Sequence, residues 1–172
     1  MKVKIKKLNP LAQIPKYSQE GDAGMDLVAI SKSEVCRSGK ENRECEEIED
    51  LYDFVEYVEY DTGLAIEIPE GYVGLIFPRS SISKTDLYLC NSVAVIDSTY
   101  RGSIKLRFTW GNLSELQDPG NVLLQPVEPI VEYEIGDRIG QLIIMPYPTI
   151  EFEEGELSET SRGESGFGST GK

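Results

Sequence analysis

Five short segments of this 172-residue chain carry residue types that can do chemistry. Ala23-Gly24-Met25-Asp26-Leu27 sets a carboxylate beside a glycine at a strand entrance. Pro78-Arg79-Ser80-Ser81-Ile82-Ser83 follows an apolar run with a cation and hydroxyls. That suits phosphate, because the guanidinium is a planar charged fork and hydroxyls and turn N–H groups add neutral donors. Asn91 to Gly102 (NSVAVIDSTYRG) reads as two apolar strands around an Asp97–Gly102 hairpin turn. A carboxylate where a strand leaves the core can take a proton from water, although a turn aspartate more often only caps the turn. Gly136-Asp137-Arg138-Ile139-Gly140-Gln141-Leu142 places Arg138 and Gln141 among apolar strand neighbours, and polar groups there call for buried partners. The last segment, Arg162 to Gly171, sets Phe167 in a glycine-rich run with Ser169 and Thr170. Such a backbone can wrap an anion, and the ring can stack on a ligand. Gly166 to Lys172 formally matches phosphate-loop spacing, but no Ser or Thr and no helix follow the lysine.

Composition narrows the chemistry. There is no histidine, and the net charge is −13. Ser-His and Cys-His catalysis and histidine-based metal sites are therefore excluded, which leaves carboxylate, Lys, Tyr or Cys as a general base. A chain this acidic is a poor general ligand for nucleic-acid backbones, and no direct nucleic-acid binding is expected. Cys36, Cys45 and Cys90 form neither an even disulfide set nor a zinc quartet, so ordinary reduced thiols are expected. No run approaches the roughly 20 apolar residues of a membrane span. The N-terminus alternates basic and apolar residues, where a signal peptide needs a continuous apolar core. A soluble, cytoplasmic protein without membrane association is the expectation.

The elements that must position these residues read as strands. Val3–Lys6, Leu64–Ile68, Tyr72–Phe77, Leu87–Ile96, Ile104–Phe108, Val131–Ile135 and Ile139–Met145 are alternating or β-prone, with Gly and Pro turns between them. Many short strands of this kind predict an all-β sandwich or barrel. Residues 41–57 are acidic with apolar residues near helical spacing, which suits a short surface helix or a long hairpin tip. The stretch 111–129 holds Pro119, Pro126 and Pro129 and reads as an extended surface excursion. The chain divides into a β domain, 1–157, with an acidic insertion at about 32–57, and a flexible glycine-rich arm, 158–172.

In this order, and from Gly21 to Gly171, the five segments resemble the five motifs of trimeric dUTPases. The third and fifth motifs are the most specific. The resemblance implies a distorted jelly-roll β-barrel or sandwich assembled as a C3 homotrimer, with active sites between subunits and the arm closing over them. It implies hydrolysis of dUTP to dUMP and pyrophosphate with Mg2+, which keeps uracil out of DNA and supplies dUMP for dTMP synthesis. Residue by residue, Asp97 matches the water-activating carboxylate. Tyr100 matches the aromatic under the deoxyribose. Asn91 and the backbone around Val95 and Ile96 match the uracil-reading elements. Arg79, Ser80, Ser81, Arg138 and Gln141 match the phosphate side. Phe167 matches the ring that stacks on uracil, and Arg162, Gly166, Gly168, Ser169 and Thr170 match the arm that wraps the phosphates. Asp26 matches the first-motif acid, near the water shell of a metal held mainly by the triphosphate.

The sequence departs from the pattern at Ala94 and Ser165, where glycine is usual, and at Gly140, where alanine is usual. These swaps are small and predict tuned affinity. The acidic insertion and the 111–129 excursion exceed the usual length, and the insertion offers a docking segment for a protein partner. A dCTP deaminase, or a combined deaminase–dUTPase, shares the fold and is the nearest rival.

Overall fold

The computed structural model describes residues 1–36, 55–110 and 131–166, with the side chains of Cys36, Val55 and Glu56 left out. Two four-stranded antiparallel sheets face each other, and a two-stranded ribbon sits beside them. In chain order the strands are β1 (Lys4–Lys7), β2 (Met25–Val28), β3 (Ser31–Cys36), β4 (Val55–Asp61), β5 (Leu64–Glu67), β6 (Tyr72–Phe77), β7 (Leu87–Leu89), β8 (Ala94–Ile96), β9 (Lys105–Trp110) and β10 (Arg138–Pro146). A single turn of 3-10 helix, Ser80–Lys84, follows β6. The first sheet has the order β2-β10-β6-β8 and the second β3-β4-β9-β7, while β1 pairs with β5. The chain switches sheets between β2 and β3, returns by way of β5 between β4 and β6, and then switches at every connection from β6 to β10. This is a jelly-roll sandwich with open sheets, not a closed barrel.

Alternation explains the layering. In β9, Leu106 and Phe108 point inward while Lys105 and Arg107 are exposed. In the ribbon, β5 loses the alternation and is buried at Leu64, Ala65 and Ile66, as expected of a strand covered on both faces. The core closes on an aromatic trio. Tyr60 meets Phe108 edge-on at 5.8 Å and Tyr133 at 6.2 Å between centroids, within the favoured range for such pairs. Buried polar groups are satisfied locally: the Tyr60 hydroxyl donates to the Tyr133 carbonyl at 2.8 Å, and Thr62 Oγ1 donates to the Ile104 carbonyl at 2.7 Å.

Several sequence expectations change. Leu87–Ile96 is two strands in different sheets, because the turn Cys90–Val93 carries the chain across the sandwich and puts Ser92 at φ 59°. The Asp97–Gly102 turn is likewise a crossover and not a hairpin, since β8 pairs with β6 while β9 pairs with β4 and β7. Val131–Ile135 joins no ladder; it is tied to residue 86 by Asp86 N–H to Val131 O (2.9 Å) and by Val131 N–H to Asp86 Oδ2 (2.8 Å). Residues 32–36 and 55–57 of the acidic insertion are ladder positions of β3 and β4, while 37–54 and 111–130 lie outside the described residues. Among the described residues no helix is long and apolar enough to cross a membrane.

On the second sheet Glu59 is buried between two cations, with Lys105 Nζ at 2.6 Å and Arg107 Nε at 2.8 Å. Burial alone would raise its pKa, but hydrogen bonds and charge from Lys105 and Arg107 outweigh that and lower it below the ordinary 4.5. A carboxylate held below its unfolded value stabilises the fold above that value and loses the contribution as pH falls through the folded one. Glu59→Gln is therefore expected to cost about 1–2 kcal/mol at pH 7, after allowing for the exposure of both cations. The difference from the parent chain should shrink below pH ~4. Denaturant titrations at several pH values check this; a pH-independent difference contradicts it.

Candidate functional site

The five segments fall into two clusters and a tail. The first cluster gathers around Asp26. In the ladder Gln141 of β10 stands directly opposite Asp26 on one side and Phe77 of β6 on the other. Arg79, two residues past Phe77, donates from Nε to Asp26 Oδ1 at 2.8 Å. Gln141 Nε2 donates to the same oxygen and Arg138 Nη1 to Oδ2, each at 3.3 Å. Gly24 makes room for this: a Cβ there would lie 3.2 Å from the Gln141 Cβ. Arg79 Nη1 also reaches the Ser81 hydroxyl, at a long 3.4 Å. Ser80 is exposed at the start of the 3-10 helix. Two guanidinium groups, an amide and serine hydroxyls thus converge at one end of the first sheet. The Arg138 side chain is 56% exposed and so accessible to an anion.

The second cluster borders a cavity of about 500 Å³ between β8, the 97–102 turn and β9. Leu89, Ala94, Ile96 and Leu106 give it apolar walls, and Asn91, Asp97 and Tyr100 a polar rim. Val95 and Ile96 contribute from β8 itself. The turn is well braced. Tyr100 N–H donates to the Asp97 carbonyl at 3.1 Å, and Arg101 Nη1 donates to the carbonyls of Ser98 and Tyr100 at 2.6 and 2.8 Å. The Tyr100 hydroxyl donates to the Ser103 carbonyl at 2.9 Å. Its ring occupies the space over Gly102, where any Cβ would collide with it. The Asp97 side chain makes no hydrogen bond or ion pair among the described residues and is exposed, so the turn presents it to solvent.

Asp97 does not meet the Asp26 cluster within one chain. Ile96 pairs with Gly74 near the start of β6, and Asp97 leaves at that end. Asp26 and Gln141 are in line with Phe77, at the other end of β6. Three residues along and three strands across, at about 3.3 Å and 4.8 Å each, separate the backbones by roughly 17 Å. None of Asp26, Arg79, Arg138 or Gln141 borders the cavity.

In the tail, Arg162 Nε donates to the Ser165 carbonyl at 2.9 Å, closing a turn that leads to Gly166. Neither Arg162 nor Gly166 bonds to either cluster among the described residues; Phe167, Gly168, Ser169 and Thr170 lie outside them.

The donor set also bears on a metal. Among the described residues no three His, Cys, Asp or Glu side chains converge, and Asp26 offers one carboxylate already engaged at both oxygens. Magnesium takes oxygen ligands and keeps several waters. The residues therefore fit an ion carried on phosphate oxygens and met through water, and do not fit one caged by the protein.

Sequence reasoning missed Glu59 and Tyr133. Lys105 and Arg107, two apart on one face of β9, signal a carboxylate partner, but only the register selects Glu59. Tyr133 carries no local signal, since its neighbours come from other elements. The departures from the family pattern have visible settings. A Cβ at Gly140 would lie 2.6 Å from Leu106 Cδ2, so glycine there complements the deeper reach of Leu106. Ala94 is buried opposite Ile76 on the cavity wall, and Ser165 is exposed in the tail turn.

Comparison with known proteins places the chain among relatives. A family model described as dUTPase matches residues 51–115 and 122–171. The deoxyuridine 5'-triphosphate nucleotidohydrolase of Finegoldia magna is 41% identical, over 99% of this chain and 99% of that protein. That of Escherichia phage T5 is 38% identical, over 98% of each. The structure of the Staphylococcus bacteriophage 80alpha dUTPase with dUPNHPP superposes with a TM-score of 0.69 at 26% identity, covering 99% of both chains. The matches extend over nearly the whole chain, which belongs to the dUTPase family.

Proposed function

We propose that this chain hydrolyses dUTP to dUMP and pyrophosphate at a site completed between copies of itself, in a homotrimer. The observation that carries this is the split of the machinery. Asp97 leaves β8 at the Gly74 end of β6, whereas the arginine cluster gathers around Asp26 in line with Phe77 at the other end, and none of its residues borders the cavity. A nucleotide must use both, because its base and α-phosphate belong at the first while its phosphate chain needs the second. A neighbouring copy, related by closed symmetry, can present its Arg79 end to the Asp97 turn. Further support comes from residues 147–160, which join no ladder and hold Phe152 and Leu157 each 93% exposed. Apolar side chains displayed in this way suit burial against another subunit.

In this reading uracil enters the cavity and pairs its acceptor–donor–acceptor edge with the backbone around Val95 and Ile96 and with Asn91. Cytosine would leave buried groups unpaired there, a mismatch that rejects strongly. Tyr100, held by Ser103, lies under the deoxyribose and leaves no room for a 2′-hydroxyl. Arg79, Ser80, Ser81, Arg138 and Gln141 of the adjacent copy hold the phosphates. The arm residues Arg162, Gly166, Phe167, Gly168, Ser169 and Thr170 then close over the nucleotide and exclude water. Asp97 takes a proton from a water whose oxygen attacks the α-phosphorus, and the bond from that phosphorus to the bridging oxygen breaks to release pyrophosphate. Asp26 would meet, through water, a magnesium ion carried on the phosphates, and that ion would supply countercharge for the leaving group.

Pyrophosphate release from dUTP, measured against dCTP, dTTP and UTP with and without magnesium, should show turnover of dUTP alone and dependence on the metal. Ammonia release from dCTP would instead support the deaminase alternative. Asp97→Asn is expected to bind dUTP normally and to lose on the order of 10³-fold or more in kcat; near-parental turnover would remove Asp97 from the mechanism.

A further inference from the structure

The Tyr100 ring stands over Gly102, and its hydroxyl donates to the Ser103 carbonyl at 2.9 Å. Both contacts come from the turn itself or its last residue, and Tyr100 is 43% exposed. Gly102, between Tyr100 and Ser103, restrains the backbone less than any other residue type. A fixed ring therefore requires that Ser103 be anchored from outside the turn.

The neighbouring turn, Asp61 to Leu64, supplies that anchor. Register sets Asp61, the last residue of β4, opposite Lys105, two residues beyond Ser103. Asp61 Oδ1 accepts from Gly63 N–H at 2.7 Å and from the Ser103 hydroxyl. A hydroxyl bonded to a carboxylate is held more firmly than one bonded to a neutral acceptor. The Leu64 carbonyl accepts from Ile104 N–H at 2.8 Å, in the same peptide group as the Ser103 carbonyl. Ser103 is thus tied at its side chain and at its following peptide to one turn. That turn is itself fixed in the core. Thr62 and Gly63 are buried, and Gly63 has φ 63° with Ile30 Cδ1 in the space a Cβ would take. The Asp61 carbonyl accepts from Ile30 N–H at 2.9 Å, and Thr62 N–H donates to the Ile104 carbonyl at 3.1 Å. Tyr100 and Ser103 border the cavity, and Asp61 stands behind them without bordering it.

We infer that Asp61 is a positioning residue for nucleoside selection: through the Ser103 hydroxyl it fixes the carbonyl that holds Tyr100, and so keeps the ring where it excludes a 2′-hydroxyl. Asp61 touches neither the nucleotide nor the reacting atoms. The inference rests on the dUTP reading above, and both Asp61 and Ser103 lie outside the five motif segments.

The ratio of the Ki of UTP, measured by competition with dUTP hydrolysis, to the KM of dUTP reads this selection. Ser103→Ala removes the link and leaves the Asp61–Gly63 bond in place; the ratio should fall roughly five- to tenfold. Ser103→Thr restores the hydroxyl and should restore the parental ratio. Added to Ser103→Ala, Asp61→Ala should lower the Tm, because Gly63 N–H loses its acceptor, and should leave the ratio where Ser103→Ala set it. An unchanged ratio in Ser103→Ala, whatever its Tm, would overturn the assignment. So would a Ser103→Thr variant that selects no better than Ser103→Ala, or a further fall in the ratio when Asp61→Ala is added. A parental chain that leaves dUTP intact would sink the dUTP reading and this one together, whereas parental hydrolysis with undiminished selection in Ser103→Ala would sink this one alone.

Discussion

The pairing of β8 with β6 constrains everything else in this protein. With Ile96 set against Gly74, the Asp97 turn must emerge at the opposite end of β6 from Arg79. Strand register is fixed here by burial on one face: Ile76 and Ala94 are in the core and Gly74 accommodates the Ile96 side chain, while Val95 between them is 60% exposed. A slip of one residue would turn these groups to the wrong face. The fold therefore cannot bring the carboxylate and the arginine cluster together by a small adjustment within one chain.

The arginine cluster shows how an acidic protein prepares for an anion. The chain carries a net charge of −13, which disfavours polyanions at long range. Locally, Asp26 gathers Arg79, Arg138 and Gln141 into one orientation before any ligand arrives. The carboxylate spares the guanidinium groups an uncompensated burial and fixes their direction, which lowers the ordering cost of binding. The partial exposure of Arg138 leaves that charge able to face an incoming phosphate. At the other end of the sheet, the bracing of the 97–102 turn by Arg101 and the placement of Tyr100 over Gly102 do similar work for the nucleoside.

The all-β class and several strands could be read from alternation, and β6 matches its sequence boundaries residue for residue. The motif residues could be read as well, because each sits at a local break in pattern such as Pro78-Arg79 or Gly136-Asp137. Sheet membership could not. The run from Leu87 to Ile96 is apolar throughout, and nothing local says that its halves belong to different sheets. The same holds for the Asp97–Gly102 turn, which has hairpin composition but joins strands that never pair. Val131–Ile135 alternates like a strand, yet its backbone bonds go to Asp86, Asp137 and the Tyr60 hydroxyl and not to a ladder. Glu59 and Tyr133 acquire their roles only from residues distant in sequence, and periodicity cannot see such neighbours.

The claim that one copy supplies Asp97 and another supplies Arg79 is most directly tested by mixing two disabled chains. Asp97→Asn and Arg79→Ala are each made and shown to be inactive, then co-refolded in equal amounts and assayed for pyrophosphate release from dUTP. In a statistically mixed trimer with shared sites, about one site in four pairs an intact Asp97 with an intact Arg79, so about a quarter of parental activity should return. If every site were built within one chain, no mixture could restore it, and activity that stays at the level of the separate variants in demonstrated mixed oligomers would contradict the account.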